Sequence, residues 1–236
     1  IVHTDYAKKI VLDKGKKNNV KNLNISRIYG ADFDYNSFKS NKKDSIESRN
    51  KVNLPNNKKV ILFFGQIKKV KNLSVVFKAL KTVKKFRKDF VLVVAGKVWR
   101  DDISYYEKFI SKNKLEKYID MRPKFISNDD VPHYFNGADL IVIPYKKNYN
   151  SGVLIRSMSY SKTIIASDLL PFKEFITDDV NGFLFSNDNH DHLAKCLIKI
   201  LDYDDERLKK IGKLTKESLK SKFDIDKISN QYSNFY

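Results

Sequence analysis

Short, unbroken apolar runs recur from Val60 onward, and each stops at a turn-forming residue. Val60-Ile61-Leu62-Phe63-Phe64 ends at Gly65, and Phe90-Val91-Leu92-Val93-Val94-Ala95 ends at Gly96. Leu140-Ile141-Val142-Ile143 runs into Pro144, and Thr163-Ile164-Ile165-Ala166 repeats the pattern. A run without polar alternation suits a strand buried on both faces, the situation of a parallel sheet. Parallel neighbours cannot be joined by a tight turn, so each pair needs a crossover segment. Tyr118 to Met121 and Gly182 to Phe185 are weaker strand candidates.

The crossovers are visible. Leu73, Val76, Phe77, Leu80, Val83 and Phe86 recur at helical steps, with Lys78, Lys81, Lys85 and Lys88 on the opposite side. Tyr106, Phe109, Ile110 and Leu115 predict a second helix, and His192 to Leu201 and Ile225 to Tyr236 two more. Strand and helix in alternation predict an α/β fold, a Rossmann-like doubly wound parallel sheet. The first part of the chain reads differently. Asp5 to Leu12 has a helical pattern, Val20 to Tyr29 an extended one, and Asn36 to Asn57, poor in apolar residues, reads as a linker.

Composition narrows the classes. The 236 residues are 42% hydrophobic and 13% aromatic, too apolar for a disordered chain. A single cysteine, Cys196, excludes a disulfide framework and a Cys-rich zinc site. It falls in an apolar helical stretch, where a packed thiol is the ordinary role. No apolar run approaches the length of a membrane span, and Ile1-Val2-His3-Thr4-Asp5 has no leader-like pattern. A cytoplasmic protein is expected. The formal net charge is +18, with only seven arginines among 46 basic residues. Such a lysine excess reads as a solvated basic surface, or as attraction to nucleic acid, an anionic membrane or a phosphorylated substrate. No RRM, KH or helix-turn-helix pattern accompanies it, so no specific nucleic-acid partner is expected. The Lys78, Lys81, Lys85 and Lys88 face could meet an anionic membrane surface, giving a peripheral location at the inner membrane face.

In an open parallel sheet, ligands sit beyond the carboxyl ends of the strands. After the first strand come Gly65-Gln66-Ile67-Lys68-Lys69-Val70-Lys71-Asn72 and then a helix. Gly65 permits a tight turn, Asn72 could cap the helix, and three lysines favour an anion. An ordinary charged turn with a capping Asn fits the same spacing. Neither the G-x-x-x-x-G-K-[ST] nor the G-x-G-x-x-G spacing is present. After the third strong run, Ser151-Gly152-Val153-Leu154 opens another helix, where small residues expose backbone N–H groups or simply form a cap.

These segments, in this order, resemble the C-terminal half of a GT-B glycosyltransferase of the group 1, or family 4, type. The matching pieces are Phe63 to Leu73, Val94-Ala95-Gly96, Gly137 to Tyr145, Ser151 to Leu154 and Met158-Ser159-Tyr160. They continue with Ile164 to Asp168, Glu174 and Asn181-Gly182-Phe183-Leu184, so the likeness spans residues 60–236. Phe223 to Lys227 is similar to the family's closing crossover segment.

The resemblance implies a domain that binds a nucleotide-sugar donor, UDP- or GDP-linked. It implies transfer to an acceptor hydroxyl, in the making of surface polysaccharide or a glycoconjugate, with retained configuration and no metal. By position, Gly65, Gln66, Lys68 and Lys71 would face the pyrophosphate, and Phe125 and Ile126 the base. Ser151, Gly152 and Val153 would offer N–H groups to the diphosphate or sugar. The family's two glutamates fall on Asn148 and Arg156, and Arg156 occupies the position that grips the ribose. Gln66 stands for a frequent arginine, Asn72 and Ser161 for frequent glycines.

The implied organisation is 1–56 as the remnant of a first domain plus linker, 57–222 as the donor domain, and 223–236 as a crossover helix. The acceptor domain, and any catalytic residue it carries, would lie outside the chain, leaving the isolated chain inactive. The loss of both acids also fits a non-catalytic binding module of the same fold. Two D-x-D patterns, Asp32-Phe33-Asp34 and Asp224-Ile225-Asp226, lie in a linker and a helix start. The group Asp188, His190, Asp191 and His192 reads as a helix N-terminus rather than a metal site. His3 reads as structural.

Overall fold

The computed structural model describes residues 4–18 and 44–222, with single positions at 20, 25 and 233. The extended stretch expected over 20–29, both D-x-D patterns, His3 and the crossover segment after 222 lie largely or wholly outside the described residues.

Six strands form one sheet: β1 (Lys59–Phe64), β2 (Phe90–Ala95), β3 (Ile119–Arg122), β4 (Leu140–Ile143), β5 (Thr163–Ser167) and β6 (Phe183–Phe185). Their order is β3-β2-β1-β4-β5-β6, and every pairing is parallel. This is the Rossmann order, with its switch point between β1 and β4. The continuous apolar runs are explained by alternation across two cores. Ile61, Phe63, Leu92 and Val94 face one core, while Val60, Leu62, Val91, Val93, Ile141 and Ile143 face the other.

Nine helices are described: α1 (Asp5–Lys17), α2 (Ser45–Lys51), α3 (Leu73–Phe86), α4 (Ile103–Lys112), α5 (Val131–Gly137), α6 (Gly152–Ser159), α7 (Leu170–Lys173), α8 (His190–Leu201) and α9 (Asp205–Lys222). In α3 the stripe from Leu73 to Val83 is buried and Lys78, Lys81 and Lys85 face solvent, as does Lys88 just beyond the helix. Phe86 departs from the stripe and is 67% exposed, because the helix ends there and Arg87 turns away in an extended conformation.

The linker expected over 36–57 needs correction in its described part. Asp44 caps α2, its Oδ1 accepting from the Ile46 amide at 2.6 Å. Val52 and Leu54 enter the core beyond β1. The anchor is a charge rather than an apolar stripe. Arg49 Nη2 contacts Asp139 Oδ2 at 2.6 Å, and its Nε donates to the Gly137 carbonyl at 2.9 Å. Asp139 Oδ2 also accepts from the Val60 amide at 2.6 Å. Arg49 thereby ties α2, the end of α5 and the start of β1. Removing one partner of such a pair leaves a largely buried charge, so Arg49→Met is expected to cost about 3 kcal/mol. Urea unfolding checks this.

Helix α9 escaped the sequence reading because its buried residues, Leu208, Ile211, Thr215 and Leu219, form a thin stripe among lysines. At Gly212 an added Cβ would lie 1.9 Å from the Ser161 carbonyl oxygen, so α9 presses directly on the end of α6. Ser161 has φ 55, and the Ser161 and Lys162 amides donate back to Met158 and Ser157 carbonyls, both at 3.0 Å. That is a Schellman closure with serine at the left-handed position, which explains why glycine is frequent there.

Candidate functional site

At the carboxyl end of β1 the chain turns at Gly65, which has φ +93 and donates its amide to the Ala95 carbonyl at 2.8 Å. Ile67, fully buried, then pins the loop. Its amide reaches the Lys97 carbonyl at 2.9 Å, and its carbonyl accepts from the Trp99 amide at 2.9 Å. With Ile67 held inside, Gln66 is exposed and Lys68 half-buried. A 3-10 turn, Lys69–Lys71, leads to α3.

Lys71 folds back over this loop. Its Nζ lies 2.9 Å from where a Cβ on Gly65 would sit and 5.2 Å from the centre of the Tyr145 ring. No carboxylate among the described residues pairs with it. Burial, and then the charge of Lys68, lower its pKa from 10.5 to about 8. An ammonium held this way gains from any anion brought beside it.

The facing wall comes from β4 and α6. Tyr145, directly after β4, is buried, which pushes its phenol far above the usual range, and its hydroxyl pairs with that of Ser151. Ser151 caps α6, its Oγ accepting from the Leu154 amide at 3.1 Å. The Gly152 and Val153 amides, in the first turn, have no acceptor within the helix. Val153 Cγ2 stands 3.6 Å from the same Gly65 Cβ position. Gly65, Lys71, Ser151, Gly152 and Val153 therefore converge at the switch point, where two free amides and a helix dipole favour negative charge.

Two expectations change. Asn72 sits at the N-cap position of α3 with φ 54 but makes no side-chain cap; its side-chain Nδ2 instead donates to Asp188 Oδ1 at 3.0 Å. Asp188 also meets Lys146 Nζ at 3.2 Å, so it ties the loops after β1 and β4 to the turn before α8. The Asn72 amide, first, and Lys146 hold its carboxyl below the usual range. Second, Ile126 is 8% exposed and packs in the core, so only Phe125, at 74%, faces solvent. Both follow β3, which lies two strands from β1 in the sheet. Arg156 is exposed one turn beyond Gly152, and its guanidinium pairs with no carboxylate among the described residues.

Sequence reasoning missed Tyr145 as a site residue, although its place immediately after an apolar run was the available signal. It also missed the orphaned donor of Asn148, whose Nδ2 is buried without a hydrogen-bond partner. Trp99, 45% exposed, stands beside the loop and stacks with Arg100 at 5.8 Å. The group before α8 is accounted for otherwise. Asn189 caps the helix through the Asp191 and His192 amides, and His192 Nδ1 accepts from the Ser186 amide at 3.0 Å. Cys196 is half-buried in α8, and burial raises its thiol pKa.

The profile of the family described as glycosyl transferases group 1 matches residues 44–218. The chain belongs to the group 1 glycosyltransferases. Its match thus begins at α2, the element the linker reading had excluded. Among relatives, a lipopolysaccharide 1,2-N-acetylglucosaminetransferase of Salmonella typhimurium is 24% identical over 152 residues, 62% of this chain and 39% of that protein. Among solved structures, Anabaena Alr3699/HepE in complex with UDP and glucose superposes with TM-score 0.75 at 20% identity, covering 89% of this chain and 56% of that one. The C-terminal domain of the group 1 protein LpcC from Francisella tularensis gives TM-score 0.68 at 20% identity, covering 78% of this chain and 94% of that domain. The chain thus spans well under two thirds of the first relative and has the fold of the C-terminal half of a GT-B glycosyltransferase. No described helix of this group 1 glycosyltransferase is long and apolar enough to cross a membrane.

Proposed function

We propose that this chain is the donor-binding half of a glycosyltransferase and holds a UDP- or GDP-linked sugar at the β1–β4 switch point. The observation that carries the reading is Lys71, a partly buried ammonium without a carboxylate among the described residues, set against Gly65 and the first turn of α6. The likeness to a fold solved with UDP and glucose supports the same ligand class. Lys71, Lys68 and the Gly152 and Val153 amides take the diphosphate. As the sugar–oxygen bond breaks, charge builds on the terminal phosphate, and donors already in place stabilise it without reorganising. These cations supply the positive charge, so the proposal assigns no metal ion. Phe125 is the exposed surface offered to the base. Transfer goes to an acceptor hydroxyl of a polysaccharide or glycoconjugate with retention, and the acceptor domain and its catalytic residue lie outside residues 57–222.

Calorimetric titration of the chain with UDP, GDP and ADP tests this. Saturable binding of one supports the donor site and names the base; no binding by any of them, in the chain or the two-domain protein, overturns it. A pH dependence is expected. The charged form of Lys71 binds phosphate, so affinity is highest below about pH 8 and falls as pH rises through that value. Titrations at neutral and alkaline pH check the direction.

A second reading, a non-catalytic module of the same fold, is favoured by Asn148 and Arg156 standing where acids are expected. It predicts nucleotide binding or none, with no sugar transfer by the two-domain protein. Association with an anionic membrane through Lys78, Lys81, Lys85 and Lys88 is proposed as well. Vesicle co-sedimentation at low salt is its test, and absence of binding sinks it.

A further inference from the structure

Helix α1 lies 145 to 169 residues from the positions it touches, yet its start is joined to them by four specific contacts. Thr4, 1% exposed, accepts from the Ala7 amide at 3.0 Å and donates its hydroxyl to the Tyr149 carbonyl at 3.1 Å. Tyr6 stacks on Tyr149, with ring centres 6.0 Å apart and planes 18° from parallel. Glu174, just after α7, takes the Asp5 amide at 3.2 Å on one oxygen and the Tyr6 amide at 3.0 Å on the other. A helix start leaves such amides without partners, and a carboxylate there is favoured by the helix dipole.

The partner segment is the loop that builds the donor wall. Residues 146–150 run from β4 to the Ser151 cap of α6 and carry the orphaned Asn148 amide. One end is fixed by the Lys146 amide on the Val70 carbonyl at 2.9 Å, which ties it to the lysine-rich turn. The other end is held at Tyr149, and the holders are Thr4 and Tyr6 of α1.

We infer that Thr4 and Glu174 are positioning residues: docking of α1 sets the loop before α6, so diphosphate binding and α1 docking stabilise each other. The inference rests on the donor-site reading above. Coupling of this kind is reciprocal, so ligand in the site must tighten α1 as much as α1 tightens the ligand.

The experiment uses the full chain in two measurements. Calorimetry gives affinity for UDP, GDP and ADP in the native chain and in Thr4→Val, Thr4→Ser, Glu174→Ala and Glu174→Gln. Hydrogen exchange reads the Asp5, Tyr6 and Ala7 amides with and without the diphosphate that binds. Thr4→Val and Glu174→Ala are expected to weaken binding about tenfold, within the usual range of coupling. Thr4→Ser should restore it and Glu174→Gln should restore part of it. Saturating diphosphate should slow exchange at Asp5 and Tyr6 in the native chain and fail to do so in Glu174→Ala. Normal affinity in both disruptive variants, or ligand-indifferent exchange at Asp5 and Tyr6, overturns the coupling while leaving the donor site standing. Failure of all three diphosphates to bind, in the native chain and in the two-domain protein alike, overturns the donor-site reading and the coupling together.

Discussion

Lys71→Met is expected to lose diphosphate binding by about a hundredfold while making the free chain more resistant to urea. The two effects have one cause. The ammonium is partly buried and has no carboxylate partner among the described residues, and desolvation pushes its pKa down from 10.5 to about 8. Its surroundings therefore disfavour the charge when the site is empty, and a methionine of similar length relieves a penalty on the order of 2 kcal/mol. With phosphate present, the same charge forms an ion-assisted hydrogen bond of up to about 3 kcal/mol, which methionine cannot make. Calorimetry and urea unfolding read the two effects separately. The variant should also lose the pH dependence of binding. Stability carries a related signature. Burial also lowers Lys162 to about 8, its Nζ donating to the Asn136 and Ala138 carbonyls at 2.9 and 2.8 Å. Between about pH 8 and 10.5 the unfolded chain binds more protons than the folded one, so stability rises with pH there. Below about pH 8 both states are protonated at these lysines and the slope vanishes. In Lys71→Met the rise should shrink, because Lys162 alone then contributes it.

Gly96→Ala is expected to destabilise the chain by about 3 kcal/mol or more and to abolish nucleotide binding. Gly96 has φ +148, and an added Cβ would fall 2.2 Å from the Gly65 carbonyl oxygen and 2.5 Å from its carbon. Those are backbone atoms, so no side chain can rotate away; β1 and β2 must separate at their carboxyl ends. The atoms displaced belong to the residue under Lys71. A shift of about 1 Å in such a loop is enough to cost on the order of a hundredfold in binding or rate. Gly137→Ala is the contrasting case. Its Cβ would meet Leu54 Cδ1 at 2.9 Å and Arg49 Cγ at 3.2 Å, side-chain atoms that can give. A clearly smaller loss of urea stability is expected there. Equal losses at the two glycines would show that the close approach of β1 and β2 is not what Gly96 provides.

Much of this arrangement was legible beforehand, for local reasons. Runs such as Val60 to Phe64 and Phe90 to Ala95 read as buried strands because every residue in them is apolar, and they form β1 and β2 within a residue. The α3 stripe was equally plain. What failed depended on partners distant in the chain. The segment 44–57 looked like a linker because its anchor is Arg49, whose value comes from Asp139 ninety residues away. Helix α9 was missed because its few buried residues matter only against the distant α6 and β5. Asn72 was read as a cap because capping is local, while its true partner, Asp188, lies 116 residues on. Ile126 carries an apolar side chain that suits either a base or a core, and only the folded chain shows it buried in the second core.

The sequence by itself determined that residues from 60 onward form alternating strands and helices, that the strands are buried on both faces, and that ligands belong at their carboxyl ends. Those follow from apolar periodicity and from the impossibility of joining parallel strands by short turns. The tertiary structure alone decided that β1 and β4 are neighbours, and with that everything at the site. Their pairing brings Val153 against Gly65, leaves Lys71 partly buried with no carboxylate partner among the described residues, and sets the loop before α6 within reach of α1. A lysine's charge is fixed by its chemistry, but its pKa and its appetite for phosphate are set by how much water and which charges surround it, and only the folded chain supplies those.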